Sequence, residues 1–148
     1  MNYELIQAVA GIFVIIGVLA AIRQLKLSKD IAVTSFEDEV SREYRNIIKK
    51  KIPTKAILGN ELSDEEFNEA LDDIFSYIDL SNEEVFLCQQ GRVRKKTWIY
   101  WCDGIQMNLE IPAFKKAWEI FKASDKDMFS ELRRLEKSNF KDDPRKWK

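Results

Sequence analysis

The sequence LIQAVAGIFVIIGVLAAI, residues 5–22, contains eighteen residues with no charged side chain and a single polar side chain, Gln7. As an α-helix this stretch covers about 27 Å, close to the ~30 Å hydrocarbon core of a bilayer. A core helix of a small soluble domain is apolar on one face, whereas this one is apolar on every face. The stretch therefore predicts a membrane-spanning helix.

A cleaved signal peptide is the competing interpretation of this stretch. Such a peptide has Lys or Arg before the apolar run and a small-x-small cleavage site after it. Glu4 is the only charged side chain ahead of the run, and the run ends at Arg23. Both features favour a retained anchor.

The charges that flank the run predict its orientation. Arg23, Lys26 and Lys29 follow it closely, and no Lys or Arg precedes it. By the positive-inside rule, residues 23–148 stay in the cytoplasm and only a few N-terminal residues cross the membrane. We therefore expect a single-pass protein with its N-terminus outside.

Acidic and basic residues are separated along the rest of the chain. The net charge is -1 over 148 residues, which predicts no overall attraction to nucleic acid. Residues 56–91 contain ten carboxylates and no Lys or Arg, and four cations follow within residues 92–96. This pattern predicts an acidic helix followed by a basic one, either paired across the fold or forming separate solvated faces.

Helical periodicity continues after the apolar run. Apolar residues recur at three- and four-residue steps from Val33 to Ile47, lysines occupy positions 49–51, and Pro53 ends the helix. One helix that runs on from the membrane and a helix broken near residues 30–35 are both compatible with this pattern.

The remaining sequence predicts helices and connecting loops. No stretch alternates as a strand does, so the expected fold class is all-α: one N-terminal transmembrane helix followed by a cytosolic domain of about four to five helices. The predicted parts are an anchor over 1–23, a juxtamembrane helix over 24–52, a helical domain over 53–137 and a frayed polar tail over 138–148. Within the domain we expect a loop over 53–62, a helix over 63–90 with a capping box at Ser63 and Glu66 and a C-cap at Gly91, a helix over 94–103, a helix whose first turn holds Pro112, and a last helix capped by Ser124.

The composition argues against an enzyme. The chain has no histidine, which removes the usual base of nucleophilic triads and the commonest metal ligand. Its five glycines are not clustered, so no phosphate-binding glycine loop is present. Cys88 and Cys102 are too few and too far apart for a zinc site, and we expect two buried thiols. No catalytic residue, metal site or cofactor is predicted.

The segment RVRKKTWIYW, residues 92–101, is hereafter the basic segment. It combines four cations with three large aromatic residues and contains no carboxylate. Cations for phosphates and ring faces for bases are what single-stranded nucleic acids and nucleotides require. The predicted ligand-binding residues are Arg92, Arg94, Lys95, Lys96, Trp98, Tyr100 and Trp101. Two alternatives stay open: that Trp98, Ile99 and Trp101 belong to the core with the cations around them, and that the cations face anionic lipid.

A stripe of small and polar residues runs along the apolar helix. At steps of three and four it contains Gln7, Ala10, Val14, Gly17, Ala21 and Gln24, and bulky side chains cover the other faces. Small residues on one side are what helices in lipid need for close contact. Because each chain has one span, the neighbour is another copy or a partner protein, and a ring of four or more such stripes is able to line a pore. A monomeric tether is the alternative.

The layout of the chain resembles a family of small bacterial membrane proteins. A short N-terminal anchor precedes the acidic phrase DDIFSYIDLSNEEVFLCQQGRV at 72–93, and KKTWIYW follows at 95–101. This order is similar to the single-span membrane effectors of the Hailong antiphage defence system. The resemblance implies a homo-oligomeric channel in the bacterial inner membrane, with a tetramer favoured. It further implies that a single-stranded oligodeoxyadenylate made by a partner nucleotidyltransferase holds the channel shut. No site residue is transferred from the family.

The sequence therefore predicts an oligomeric membrane effector, a pore gated by a nucleotide or a single-stranded oligonucleotide bound to its cytosolic helices. The alternative is a passive membrane tether that recruits a protein partner through its acidic helix, residues 63–90.

Overall fold

The structure is a computed structural model that describes residues 2–50 and 52–147, without the side chains of residues 4–6 and Lys50. The described residues form six α-helices and no strand, which confirms the all-α prediction. The helices are α1 (Tyr3–Lys50), α2 (Thr54–Ile57), α3 (Asp64–Gln89), α4 (Lys95–Glu110), α5 (Pro112–Ser124) and α6 (Ser130–Lys137), followed by a 3₁₀ turn at Pro144–Lys146.

Helix α1 is continuous, so the alternative of a break near residues 30–35 is not realised. Its apolar part makes it the one described helix that is long and apolar enough to cross a membrane. The last lysine of the predicted basic end, Lys51, lies outside the described residues.

The chain divides into two compact units, residues 1–36 and residues 37–148. In the first unit, the described side chains from Gln7 to Ala32 are exposed. The division falls within α1, after Phe36, and not at the end of the apolar run. The second unit, hereafter the helical unit, contains the last turns of α1 and all the other helices.

Helix α3 lies at the centre of the helical unit, where it packs against α4, α5, α6 and the 3₁₀ turn. Its buried face includes Ile74, Tyr77, Ile78 and Val85, each at most 2% exposed. Aromatic rings fill the space toward α5: Tyr77 meets Phe114 edge to face, with ring centroids 5.1 Å apart. This face of α3 thus forms the core of the helical unit, whereas Phe75 and Phe86 on the same helix are exposed.

Both predicted ends of α3 are confirmed. The Ser63 side chain accepts from the Glu66 amide, and the Glu66 carboxylate accepts from the Ser63 amide, which completes the capping box. At the other end, the Gly91 amide donates to the Cys88 carbonyl and the Arg92 amide to the Leu87 carbonyl. This is a Schellman motif, and Gly91 adopts the left-handed φ of 68° that the motif requires.

Helix α4 continues beyond its predicted end at Asp103 and reaches Glu110. Gly104 weakens a helix by about 1 kcal/mol relative to alanine, which a well-packed helix tolerates. Ile105 and Leu109 continue the buried face of α4, and both are at most 7% exposed. Burial of this face outweighs the glycine.

The prediction of a helix capped by Ser124 is wrong. Ser124 is the last residue of α5, and α6 begins after Phe129, which has a left-handed φ of 58°. The Arg133 guanidinium donates to the carbonyl of Asp125 at 2.6 Å and to that of Lys122 at 3.2 Å. A side chain from α6 therefore satisfies the end of α5 and fixes the intervening turn.

Two further segments differ from their predictions. The expected loop over 53–62 contains the short helix α2, whose Ala56 is fully buried. The expected frayed tail is packed: Pro144 is buried, and the Arg134 guanidinium lies 4.5 Å from the centroid of the Trp147 ring. Pro144 lies in the 3₁₀ turn that packs against α3, and Trp147 contacts α6 through Arg134.

Candidate functional site

A buried carboxylate holds the first residues of the basic segment. Glu37, on α1, is 7% exposed. Its Oε1 accepts from the Arg94 amide at 2.8 Å, and its Oε2 accepts from the Thr97 hydroxyl at 2.9 Å. The Arg94 guanidinium lies 3.5 Å from the same carboxylate. Glu37 therefore caps the N-terminus of α4 from another helix, where the helix dipole favours a negative charge.

The cations of the basic segment fall into two groups. Arg92, Lys95 and Lys96 are exposed and point away from the core. Arg94 is exposed as well, but its guanidinium lies beside the Glu37 carboxylate. All four predicted cations therefore lie on the surface, and Arg94 has a structural partner.

The three aromatic residues of the segment also separate. Tyr100 is 79% exposed, whereas Trp98 and Trp101 are 3% and 7% exposed. A base stacks only on a ring whose face is open, so the two tryptophans do not offer stacking surfaces in this conformation. The structure therefore places both tryptophans in the core, whereas Ile99, which the same alternative placed there, is 52% exposed, and Tyr100 remains available.

An open cavity of about 520 Å³ lies beside Tyr100 within the helical unit. It is lined from three helices: α1 contributes Ser41, Tyr44 and Arg45, α3 contributes Tyr77 and Glu84, and α4 contributes Tyr100, Trp101, Asp103, Gly104, Ile105, Met107 and Asn108. Ring carbon and apolar side chains form most of its wall. This size and composition are typical of small-molecule sites.

The side chains of one amide and two phenols form a hydrogen-bond network on one wall of the cavity. The Asn108 side chain donates to the Tyr77 hydroxyl at 3.0 Å and to the Tyr44 hydroxyl at 3.4 Å. The two rings meet edge to face at 6.0 Å. Burial raises the pKa of Tyr77, so this phenol stays protonated. The network joins α1, α3 and α4 at the cavity.

Glu84 is the second buried carboxyl of the helical unit and lines the same cavity. It is 6% exposed. Burial, together with the charge of neighbouring Glu83, raises its pKa from 4.5 to about 8. Within the part of the chain that the structure describes, the Glu84 carboxyl has no hydrogen-bond or ion-pair partner. The site therefore contains an acid that is largely neutral at pH 7 and faces open space.

Neither Glu37 nor Glu84 was singled out from the sequence. Glu37 directly follows Phe36 on the apolar stripe of α1, and Glu84 lies one turn from Ser81 and Cys88 on the stripe of α3. A carboxylate within an apolar helical stripe was the available signal, because burial of such a group demands a partner or a proton.

The two cysteines are free and buried, as predicted. Burial raises the pKa of the Cys88 thiol to about 12 and that of the Cys102 thiol to about 11. Thiols in this state are poor nucleophiles and poor metal ligands. In the described residues, no group of three or more acidic or cysteine side chains is placed to hold a metal ion.

The small-residue stripe lies in the first unit. All six of its residues, Gln7, Ala10, Val14, Gly17, Ala21 and Gln24, are exposed in the single chain. A Cβ added at Gly17 meets no atom within 4 Å. The face that the stripe forms is therefore open to a partner helix.

Comparison of the chain with protein families, curated proteins and solved structures finds no match.

Proposed function

We propose that this protein is an oligomeric membrane effector whose helical unit binds a nucleotide or single-stranded oligonucleotide, and that this ligand gates a pore formed by the N-terminal helices. The observation that carries the proposal is the contact of Glu37 with the start of α4. It joins the candidate ligand segment to α1, the helix that contains the apolar run.

The ligand contacts follow from the exposed side chains. Arg92, Lys95 and Lys96 hold phosphates, and Tyr100 stacks on a base. Lys96 and Tyr100 are four residues apart on α4 and therefore lie on one helix face. Arg94 serves to orient α4 through Glu37.

Ligand binding is coupled to the membrane helix through a shift between two packing arrangements of α1 and α4. A polyanion at the start of α4 draws Arg94 and the neighbouring lysines toward its phosphates and competes with Glu37 for the same cation. The balance between these contacts changes the position of α1 relative to α4, and the assembled helices open or close accordingly. The small-residue stripe forms the helix contact or the pore lining.

The biological setting of the proposal comes from the resemblance in layout to the Hailong effectors. In that setting the protein lies in the bacterial inner membrane with its helical unit in the cytoplasm, assembles as a homo-oligomer such as a tetramer, and responds to an oligodeoxyadenylate from a partner nucleotidyltransferase. The proposal assigns it no catalytic role.

Oligonucleotide binding to the full-length protein in micelles tests the ligand site. The probe is a labelled single-stranded oligodeoxyadenylate, and the variant is Lys95→Glu with Lys96→Glu. We expect roughly tenfold or greater loss of affinity and a shallower salt dependence, because two phosphate contacts are removed. The matched control reverses two exposed lysines elsewhere, Lys115→Glu with Lys126→Glu. Equal losses in both variants would show that only net charge matters and would remove this site.

Membrane potential in bacteria that express the protein alone tests the pore. We expect depolarisation that disappears when residues 1–22 are deleted. Gly17→Leu is expected to disturb assembly or conduction, whereas Ala8→Leu, on the opposite side of the helix, is not. In the single chain a Cβ added at Gly17 meets no atom within 4 Å. A Gly17→Leu variant that assembles and conducts normally would refute the role of the stripe.

A specific observation favours a second candidate, a membrane tether. Five exposed carboxylates form a continuous stripe along α3 at helical spacing, namely Glu65, Glu69, Asp72, Asp79 and Glu83. Such a stripe suits a partner with a basic surface. A tether leaves the membrane potential unchanged at confirmed membrane expression, and its partner is lost when the stripe is neutralised.

A further inference from the structure

The cavity between α1, α3 and α4 contains a buried carboxyl group that no described residue pairs with. Glu84 is 6% exposed and has no partner in the described part of the chain. Leaving a buried carboxylate unpaired costs several kcal/mol, so this group needs either a proton or a cation. The open space beside Glu84 leaves room for a cation.

We propose that this cavity binds an organic ammonium ion, with Glu84 as its counter-charge and the surrounding aromatic rings as its walls. The site is separate from the exposed cations of the basic segment, and the proposal does not depend on the oligonucleotide or on the pore.

The aromatic lining favours a cation that is organic. Tyr44, Tyr77, Tyr100 and Trp101 all line the cavity. Ring faces attract ammonium groups and also pack against their alkyl chains. Metal ions instead need several oxygen ligands around one point. A wall with four aromatic rings and a buried carboxyl thus matches an alkylammonium ion better than a metal ion.

The other charged groups at the cavity lie toward solvent. Asp103 and Arg45 are exposed, whereas Glu84 is buried. Among the described residues, no cation lowers the pKa of Glu84. The carboxyl is therefore open to an external ammonium group.

Binding of an ammonium ion changes the protonation of Glu84, so the affinity depends on pH. The free carboxyl has a pKa of about 8 and is largely protonated at neutral pH. Pairing with an ammonium ion requires the carboxylate, so binding releases close to one proton at pH 7. Affinity should rise about tenfold per pH unit below pH 8 and level off above it. The titratable and charged groups around Glu84 are Tyr44 and Arg45 from α1, Tyr77 and Glu83 from α3, and Tyr100 and Asp103 from α4.

Isothermal titration calorimetry on the full-length protein in maltoside micelles tests the site, with putrescine and choline as probes. The variant is Glu84→Gln, which keeps the shape of the side chain and removes its charge. We expect binding of at least one probe to the wild type, roughly tenfold or greater loss in Glu84→Gln, and a released proton seen as buffer-dependent heat. Glu69→Gln, an exposed carboxyl on the same helix whose charge does not raise the pKa of Glu84, is the matched control and should bind as the wild type does.

Three results would overturn the assignment. They are no binding of either probe at millimolar concentration, equal affinity in Glu84→Gln and the wild type, and Glu84-dependent binding of a neutral nucleobase in place of the ammonium ions. Circular dichroism confirms that each variant is folded. Tyr100→Ala, at a position that is 79% exposed, gives a second variant, for which we expect a severalfold loss through the missing ring wall.

Discussion

At the scale of single residues, Glu37 joins two helices that are far apart in sequence. Its two carboxylate oxygens satisfy a backbone amide and a hydroxyl at the start of α4, and its charge faces Arg94. An N-terminal helix cap usually comes from the residue that precedes the helix. Here that residue is Arg94, which has no side-chain acceptor, and the cap comes from a residue far away in sequence.

Removing this remote cap should destabilise the helical unit. For Glu37→Ala we expect a loss of about 2 kcal/mol in the free energy of unfolding, because two donors lose their acceptor and Arg94 loses its ion pair. Thermal unfolding of the full-length protein in micelles, followed by tryptophan fluorescence, measures the effect. Glu39→Ala changes an exposed carboxylate on the same helix and should stay within about 0.5 kcal/mol of the wild type. Equal stability of the two variants would contradict the capping role.

The residues of the basic segment show how far sequence alone reaches at this scale. The exposure of the lysines and of Tyr100 could be predicted from helical spacing in the sequence. Burial of Trp98 and Trp101 was also encoded, because Ile105 and Leu109 continue their stripe. That continuation goes unnoticed if α4 is expected to end at Asp103. The burial of Glu37 and Glu84 had a signal in their positions within apolar stripes, but their roles could not be predicted, because those roles depend on which helices pack together.

At the scale of elements, the two ends of α3 rest on different physics. The capping box at Ser63 and Glu66 is a side-chain arrangement. The Schellman motif at Gly91 depends on backbone conformation, because its φ of 68° is strained for any residue with a Cβ.

Two glycine substitutions should therefore have opposite effects. Gly91→Ala should cost about 1 kcal/mol, since the positive φ is unfavourable for alanine. Gly104→Ala should stabilise by up to about 1 kcal/mol, since it lies within α4 and an added Cβ meets no atom within 4 Å. Midpoints of thermal unfolding report both changes. A loss of stability in Gly104→Ala would mean that the helix is strained at that point.

Elements marked by local signals were predictable, and those set by distant contacts were not. The start of α3 and the first turn of α5 carry a capping box and a proline, and both appear where expected. The turn between α5 and α6 is fixed by Arg133, and the tail is fixed by burial of Pro144. Neither contact leaves a local pattern in the sequence.

Packing of the tail makes a prediction about the thiols. The Cys102 thiol lies 3.7 Å from the Phe140 carbonyl, and the charges of Asp143 and Arg145 act on Cys88. Deleting residues 138–148 should expose these thiols and speed their alkylation at least about tenfold. Mass spectrometry after timed exposure to iodoacetamide measures the rate.

Lys141→Ala, an exposed change in the same tail, is the control and should alkylate as slowly as the wild type. Circular dichroism shows whether the shortened chain keeps its helices. If a folded, shortened chain reacts no faster than the full chain, the tail does not cover the cysteines and its packing is refuted.

At the scale of the whole molecule, the dependence of stability on pH between 5 and 8 has an unusually simple origin. The chain contains no histidine, the residue that normally titrates in this range. The lowered pKa values of Glu66 and Asp143 place their titrations at acidic pH, and the raised values of the two cysteines place theirs above pH 8. Among the described side chains with a shifted pKa, Glu84 is the one that titrates in between.

Stability should therefore fall as pH rises through this range. The folded chain keeps the Glu84 proton up to about pH 8, whereas the unfolded chain releases it near pH 4.5. The unfolded state binds fewer protons between these values, so the free energy of unfolding decreases, by roughly 3 kcal/mol from pH 5 to pH 8. Glu84→Gln removes this titration and should unfold at nearly constant temperature across the range, above the wild type at pH 8. Glu69→Gln, an exposed change on the same helix, keeps the buried acid and should follow the wild type. A wild-type protein whose unfolding temperature is constant from pH 5 to pH 8 would show that Glu84 is already ionised in the folded state and would refute its raised pKa.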